Sequence, residues 1–122
     1  MEIVFVHTPR YELSTETGFI PDSVAIEAFC TTSTGKTPTY FGKPYKETIE
    51  MISEATGYSN DEMCIFGDRL YTDIALGKRF GVTAVLVLSG ETKAEDVDKA
   101  TPQDKPDFVF ESLEEVDKKI FG

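Results

Sequence analysis

The sequence predicts an α/β fold organised around a parallel sheet. Three short apolar runs, Met63 to Phe66, Thr83 to Leu88 and Phe108 to Phe110, read as strands, and helix-patterned segments lie between and around them. Glycines and capping residues mark the junctions. An alternation of helix and strand on this scale calls for parallel strands joined by right-handed crossovers.

Taken in order, Met1 to His7 reads as a strand ended by Pro9. Residues 10 to 21 are polar and broken by Gly18 and Pro21. Asp22 or Ser23 can cap a helix that carries Val24, Ile26, Ala28 and Phe29. Thr31 to Pro38 reads as a loop and as the boundary between two units, 1–40 and 41–122. Pro44 suits the first turn of the next helix, where its missing N–H is harmless. Tyr45, Ile49, Met51 and Ile52 give that helix an apolar face, and Gly57 ends it.

Met63 to Phe66 is uninterrupted, as expected of a strand covered on both faces. Thr72 to Phe80 reads as a helix closed by a left-handed Gly81. Thr83 to Leu88 has the composition of a buried strand. Capping boxes at Thr92 with Glu95 and Ser112 with Glu115 open the last two helices, on either side of the strand Phe108 to Phe110.

The 122 residues, 40% hydrophobic and 11% aromatic, fit one small globular domain or a piece of a larger one. A net charge of −10, with acidic residues dense between 91 and 117, argues against nucleic acid or an anionic membrane as partner. There is no apolar run long enough to span a bilayer and no basic-then-apolar amino terminus, so the cytoplasm is the expected location. Cys30 and Cys64 give no disulfide framework, and Cys64 is expected to behave as a small buried hydrophobe.

The residues with chemistry gather at expected strand ends. In a parallel sheet, ligands bind beyond the carboxyl ends of the strands. Gly67-Asp68 follows the run Met63 to Phe66, and Asp73 comes five residues after Asp68, near a helix start that favours a carboxylate. Two carboxylates on one strand-to-helix loop make an all-oxygen site suited to Mg2+. Lys43, between Gly42 and Pro44, would reach the same edge and can neutralise a phosphate or steady a carboxylate nucleophile. Alone, Asp73 would be read as a helix cap and Lys43 as an inert surface lysine; the combination carries the reading.

Phe41-Gly42-Lys43-Pro44, followed by Gly67-Asp68-Arg69-Leu70-Tyr71-Thr72-Asp73-Ile74, resembles the third and fourth motifs of the haloacid dehalogenase (HAD) superfamily. The resemblance is closest to its nitrophenylphosphatase-like, sugar-phosphatase and nucleotide-phosphatase members. It continues through Gly81-Val82-Thr83, Val87-Leu88-Ser89-Gly90 and Pro106-Asp107-Phe108-Val109. It implies a Rossmannoid three-layer sandwich with an incomplete core in 41–122, preceded in 1–40 by the end of an α/β cap. Gly18-Phe19-Ile20-Pro21 is similar to that cap's closing segment, while His7-Thr8-Pro9-Arg10 departs from it.

The resemblance implies Asp68 as direct magnesium ligand, Asp73 as its support, and Gly42 and Lys43 as phosphate-binding, with Lys43 orienting the nucleophile. Arg69 and Thr72 are read as solvated and helix-capping. The family's nucleophilic Asp-x-Asp after an apolar strand has no counterpart here, because Asp96-Val97-Asp98 falls in a helical segment. Without that nucleophile no aspartyl-phosphate forms. The expectation is therefore part of a magnesium-dependent phosphatase acting on small phosphorylated metabolites, inactive by itself and prone to pair through an exposed sheet edge. Two rival readings are a non-catalytic module that keeps the scaffold, and a flavodoxin- or receiver-like domain with a coincidental acidic pair.

Overall fold

The computed structural model of the chain describes residues 4–6 and 11–122. Strand β1 (Val4–Val6) pairs in parallel with β4 (Thr39–Phe41), Val4 opposite Thr39 and Val6 opposite Phe41. The rest of the expected strand at Met1 to His7, and the turn through Pro9, lie outside the described residues.

The polar stretch before α1 is a hairpin rather than an irregular segment. Strands β2 (Glu12–Thr15) and β3 (Gly18–Pro21) pair antiparallel, and Thr15 Oγ1 donates to the Gly18 carbonyl at 3.1 Å. Every residue of β3 is exposed, so no alternation of apolar and polar residues marked it in the sequence. Helix α1 (Ser23–Thr34) starts at Asp22, whose carboxylate accepts the Ser23 N–H at 2.7 Å. It runs through Thr31–Thr34, expected to be loop, to a left-handed Gly35, and Ser33 and Thr34 return their hydroxyls to the Phe29 and Cys30 carbonyls one turn back.

Helix α2 (Lys46–Thr56) begins later than Pro44 suggested. The Tyr45 N–H closes a turn on the Gly42 carbonyl at 3.0 Å, so Pro44 precedes the helix and Tyr45 is its first flanking residue. Of the expected apolar face, Ile49 is buried while Met51 points to solvent.

Strands β5 (Cys64–Gly67), β6 (Thr83–Val87) and β7 (Phe108–Phe110) form one parallel sheet with β6 in the middle. Helix α3 (Ala75–Phe80) packs on one face. Ile65, Leu76, Val82 and Ile49 form one core cluster there, and Ile74, Ala84 and Leu86 another. The other face is partly covered, with Val85 and Val87 buried on it. Cys64 and Phe66 are exposed, contrary to the covered strand and buried cysteine expected. With Val85, Phe108 and Phe110 they floor an apolar groove of about 410 Å³, edged by Lys119 and Ile120 of α5 (Leu113–Ile120).

The remaining junctions differ by a residue or two. The chain enters α3 through a wide π-helical turn, Leu70–Ile74, in which the Ala75 N–H reaches back to the Leu70 carbonyl. Helix α4 (Ala94–Lys99) is flanked by Lys93 rather than Thr92, and Asp96 accepts the Lys93 N–H at 3.0 Å. That places Asp96 in a capping role. Ser112 Oγ caps α5 through the Glu115 N–H, but the Glu115 carboxylate turns to the Glu111 N–H at 2.7 Å. At the amino end of the sheet, Asp107 accepts the Ala84 N–H at 2.9 Å and binds Lys78. The Ala84 N–H first, and Lys78 second, hold its carboxyl below the usual aspartate range. No helix among the described residues is long and apolar enough to cross a membrane.

Candidate functional site

Three loops meet beyond the carboxyl end of the sheet: the turn after β4, the loop from β5 into the π-helical turn, and the loop after β6. The turn is braced by Thr48, whose hydroxyl accepts the Gly42 N–H at 2.9 Å and donates to the Gly42 carbonyl at 2.5 Å. Thr48 escaped sequence reasoning because nothing in its spacing separates it from an ordinary helix-surface threonine. Tyr40 and Tyr45 stack across the turn at 5.0 Å between ring centres. The Tyr40 hydroxyl donates to Glu27 at 2.5 Å, which pushes its pKa up to about 12, and burial raises that of Tyr45.

The braced turn carries Lys43 to Asp73, and the ammonium binds Oδ1. Asp73 is buried, and its Oδ2 accepts the Arg69 N–H at 3.3 Å and the Thr72 hydroxyl at 3.4 Å. Both of its oxygens are therefore engaged. Thr72 is itself only 1% exposed, so it serves the carboxylate from inside rather than capping a helix at the surface. Gly67 lies directly beneath: a Cβ there would sit 2.1 Å from the Asp73 Cβ, a separation no side chain can take.

Asp68 has a different setting. Its Oδ2 accepts the Glu91 N–H at 2.8 Å, and its carbonyl accepts the Thr92 N–H at 3.1 Å. Oδ1 receives no hydrogen bond among the described residues. Gly90 admits this contact, since a Cβ there would lie 2.2 Å from Oδ2. Above the carboxylate, the Glu91 side chain accepts from Arg69 Nε at 2.8 Å and from the Tyr71 hydroxyl at 2.7 Å. Arg69 is thus bound to the facing loop rather than simply solvated.

The predicted residues are accordingly brought together in part. Lys43 and Asp73 form one pair on the Gly42 turn, whereas Asp68 bonds the loop after β6. Among the described residues no three His, Cys, Asp or Glu side chains cluster to hold a metal. The Asp68 Oδ1, which receives no hydrogen bond among the described residues, is a carboxylate oxygen of the kind Mg2+ takes alongside water and phosphate. Asp73, by contrast, accepts hydrogen bonds on both of its oxygens.

Similarity to known proteins follows the same elements. The chain is 38% identical to a 4-nitrophenylphosphatase of Schizosaccharomyces pombe, an alignment covering 78% of this chain and 32% of that one. It superimposes on the crystal structure of a 4-nitrophenylphosphatase from Thermotoga maritima with a TM-score of 0.74 and 41% identity, over 93% of this chain and 43% of that one. A glycerol phosphate phosphatase of Mycobacterium tuberculosis, solved in complex with magnesium, matches with a TM-score of 0.70 and 28% identity, over 88% of this chain and 32% of that one. The chain thus spans about a third to two-fifths of the length of these relatives.

The α/β architecture read from the sequence is the one these phosphatase structures share, and the flavodoxin- or receiver-like alternative falls away. Residues 40–116, which include both motifs, match the HAD-hydrolase-like family. The chain belongs to the HAD-hydrolase-like family.

Proposed function

We propose that this chain supplies the cation- and phosphate-supporting part of a magnesium-dependent phosphatase centre for small phosphomonoesters such as sugar or nucleotide phosphates, and that it does not turn over substrate by itself. The observation that carries the reading is the division of labour between the two aspartates. Asp73, closed on Lys43, Arg69 and Thr72, fixes the ammonium at the mouth of the site, while Asp68 keeps one oxygen open.

Lys43 stays 43% exposed on its side chain, so its charge can meet a phosphate while Asp73 holds it in place. The Gly42 backbone, tied to Thr48, presents the lysine and lines the phosphate side of the turn. Asp68 would hold Mg2+ through Oδ1; when bound, the ion supplies charge neutralisation at the phosphoryl oxygens. Residues 1–40 belong, in this reading, to the end of a cap and 41–122 to the core, in a cytoplasmic protein.

Hydrolysis of p-nitrophenyl phosphate by the purified chain is expected to stay at background with or without Mg2+. Magnesium-dependent turnover that disappears in Asp68→Asn would overturn the claim of inactivity.

A second reading is favoured by one specific observation: Phe66 at 39% and Phe108 at 56% exposure line the open groove, and β5 has no strand on its outer edge among the described residues. Such a surface suits a binding or self-association module that keeps the HAD scaffold. Sedimentation giving a strict monomer across a broad concentration range would count against it.

A further inference from the structure

We propose that Glu91 is a positioning residue whose side chain latches the loop after β6 over Asp68, so that the Asp68 carboxylate presents its Oδ1 in one orientation. The inference rests on the reading of Asp68 as the cation-holding residue. Glu91 touches the Asp68 loop in two ways. Its backbone N–H bonds Oδ2 of Asp68, and its carboxylate takes Arg69 Nε and the Tyr71 hydroxyl, one residue and three residues further along that loop.

The geometry explains why a side-chain latch is needed. The N–H of residue 91 meets Oδ2 only because Gly90 lacks a Cβ, and a glycine at that point leaves the loop free to adopt many other backbone conformations. The Thr92 N–H on the Asp68 carbonyl fixes the far end of the loop but not the carboxylate. The Glu91 carboxylate closes the remaining freedom by binding the opposite wall. Each of its oxygens accepts one of these two bonds, which ties the loop after β6 to the loop after β5. Its charge faces Arg69, which limits repulsion between Glu91 and Asp68.

The latch is half-exposed, so its worth is that of a surface ion pair with one added hydrogen bond, a factor of about five in loop closure. Mn2+ serves as the probe, with the paramagnetic broadening of amides in the 15N-labelled full chain as readout, beside amide hydrogen exchange. Glu91→Ala is expected to speed exchange at residues 91 and 92 about fivefold and to raise the half-broadening Mn2+ concentration by a similar factor. Exchange at Leu76 and Leu86, and the thermal midpoint, should stay in place. Glu91→Gln, which keeps an acceptor for Tyr71 and loses the ion pair, should fall between, and it carries the test if the alanine variant does not fold.

Unchanged exchange at 91 and 92 overturns the latch. Faster exchange with an unmoved Mn2+ half-point overturns its role at Asp68. Asp68→Asn separates the two readings: Mn2+ binding that survives this change defeats Asp68 as the cation residue, while the exchange measurements still decide the latch.

Discussion

Gly67→Ala tests the packing beneath the site, because two effects of opposite sign meet there. Gly67 does not occupy the left-handed backbone region, so alanine should fit its backbone and stabilise the fold by about 0.4–1 kcal/mol through the unfolded chain. Against this, the new Cβ would stand 2.1 Å from the Asp73 Cβ, 2.3 Å from its Cγ and 2.6 Å from Oδ2. These atoms belong to the buried root of a short side chain and cannot swing away. Overpacking of this kind costs about 1–3 kcal/mol. Displacing Asp73 also loosens its bonds to Lys43, Arg69 and Thr72, worth about 1–3 kcal/mol for a buried polar group. The central balance is a loss of about 3 kcal/mol, or about 10 °C in Tm for a chain of this size. Thermal unfolding followed by circular dichroism reads it directly. A Gly67→Ala variant that melts at or above the parent midpoint would refute the argument, because only the backbone contribution would then be acting.

Three further outcomes follow from named contacts. Lys43→Met should destabilise by about 1–3 kcal/mol in urea unfolding by leaving the buried Asp73 carboxylate without its cation, and Asp73→Asn added to it should recover part of the loss. Asp107 has a folded-state pKa below its unfolded one, so its contribution is present above the ordinary aspartate value of about 3.9 and is lost as pH falls through the lower folded value. Asp107→Ala should therefore flatten the acid limb of a stability-versus-pH curve below about pH 4, and an unaltered limb would exclude Asp107 as its source. Ultraviolet titration should show one tyrosine ionising near pH 12, with Glu27→Gln bringing it down; a Tyr40 signal at the ordinary value in the parent would break the assignment.

Much of the carboxyl-terminal fold was legible because burial and local chemistry agree there. Thr83 to Leu88 is apolar at nearly every position, and the structure buries Ala84 and Leu86 completely. Gly57 and Gly81 close their helices in the left-handed conformation, as their positions suggested. The misses share a cause. Strand β3 has no buried residue, so it carries no periodic signal, and Phe66 looked covered because an apolar run does not say which of its faces meets a partner. At the site, the approach of Lys43 to Asp73 was foreseeable from two strand ends. The parts played by Thr48, Gly90, Glu91 and Thr92 were not, since each depends on how one loop lies across another rather than on spacing along the chain.

The clasp at Asp107 has a consequence for strand register. One rung before the pair Val85–Phe108, the Asp107 N–H binds the Ala84 carbonyl, and the Asp107 carboxylate accepts the Ala84 N–H. A side chain thus stands in for a strand carbonyl and lengthens a ladder whose outer strand has only three residues. Phe108, Val109 and Phe110 are similar enough in bulk that sliding by two positions would keep the same face inward. Sliding would also leave the Ala84 N–H without its acceptor and Lys78 without its anion. Asp107 therefore fixes which residue of this short strand lies against which, a task that its near-uniform apolar side chains could not perform.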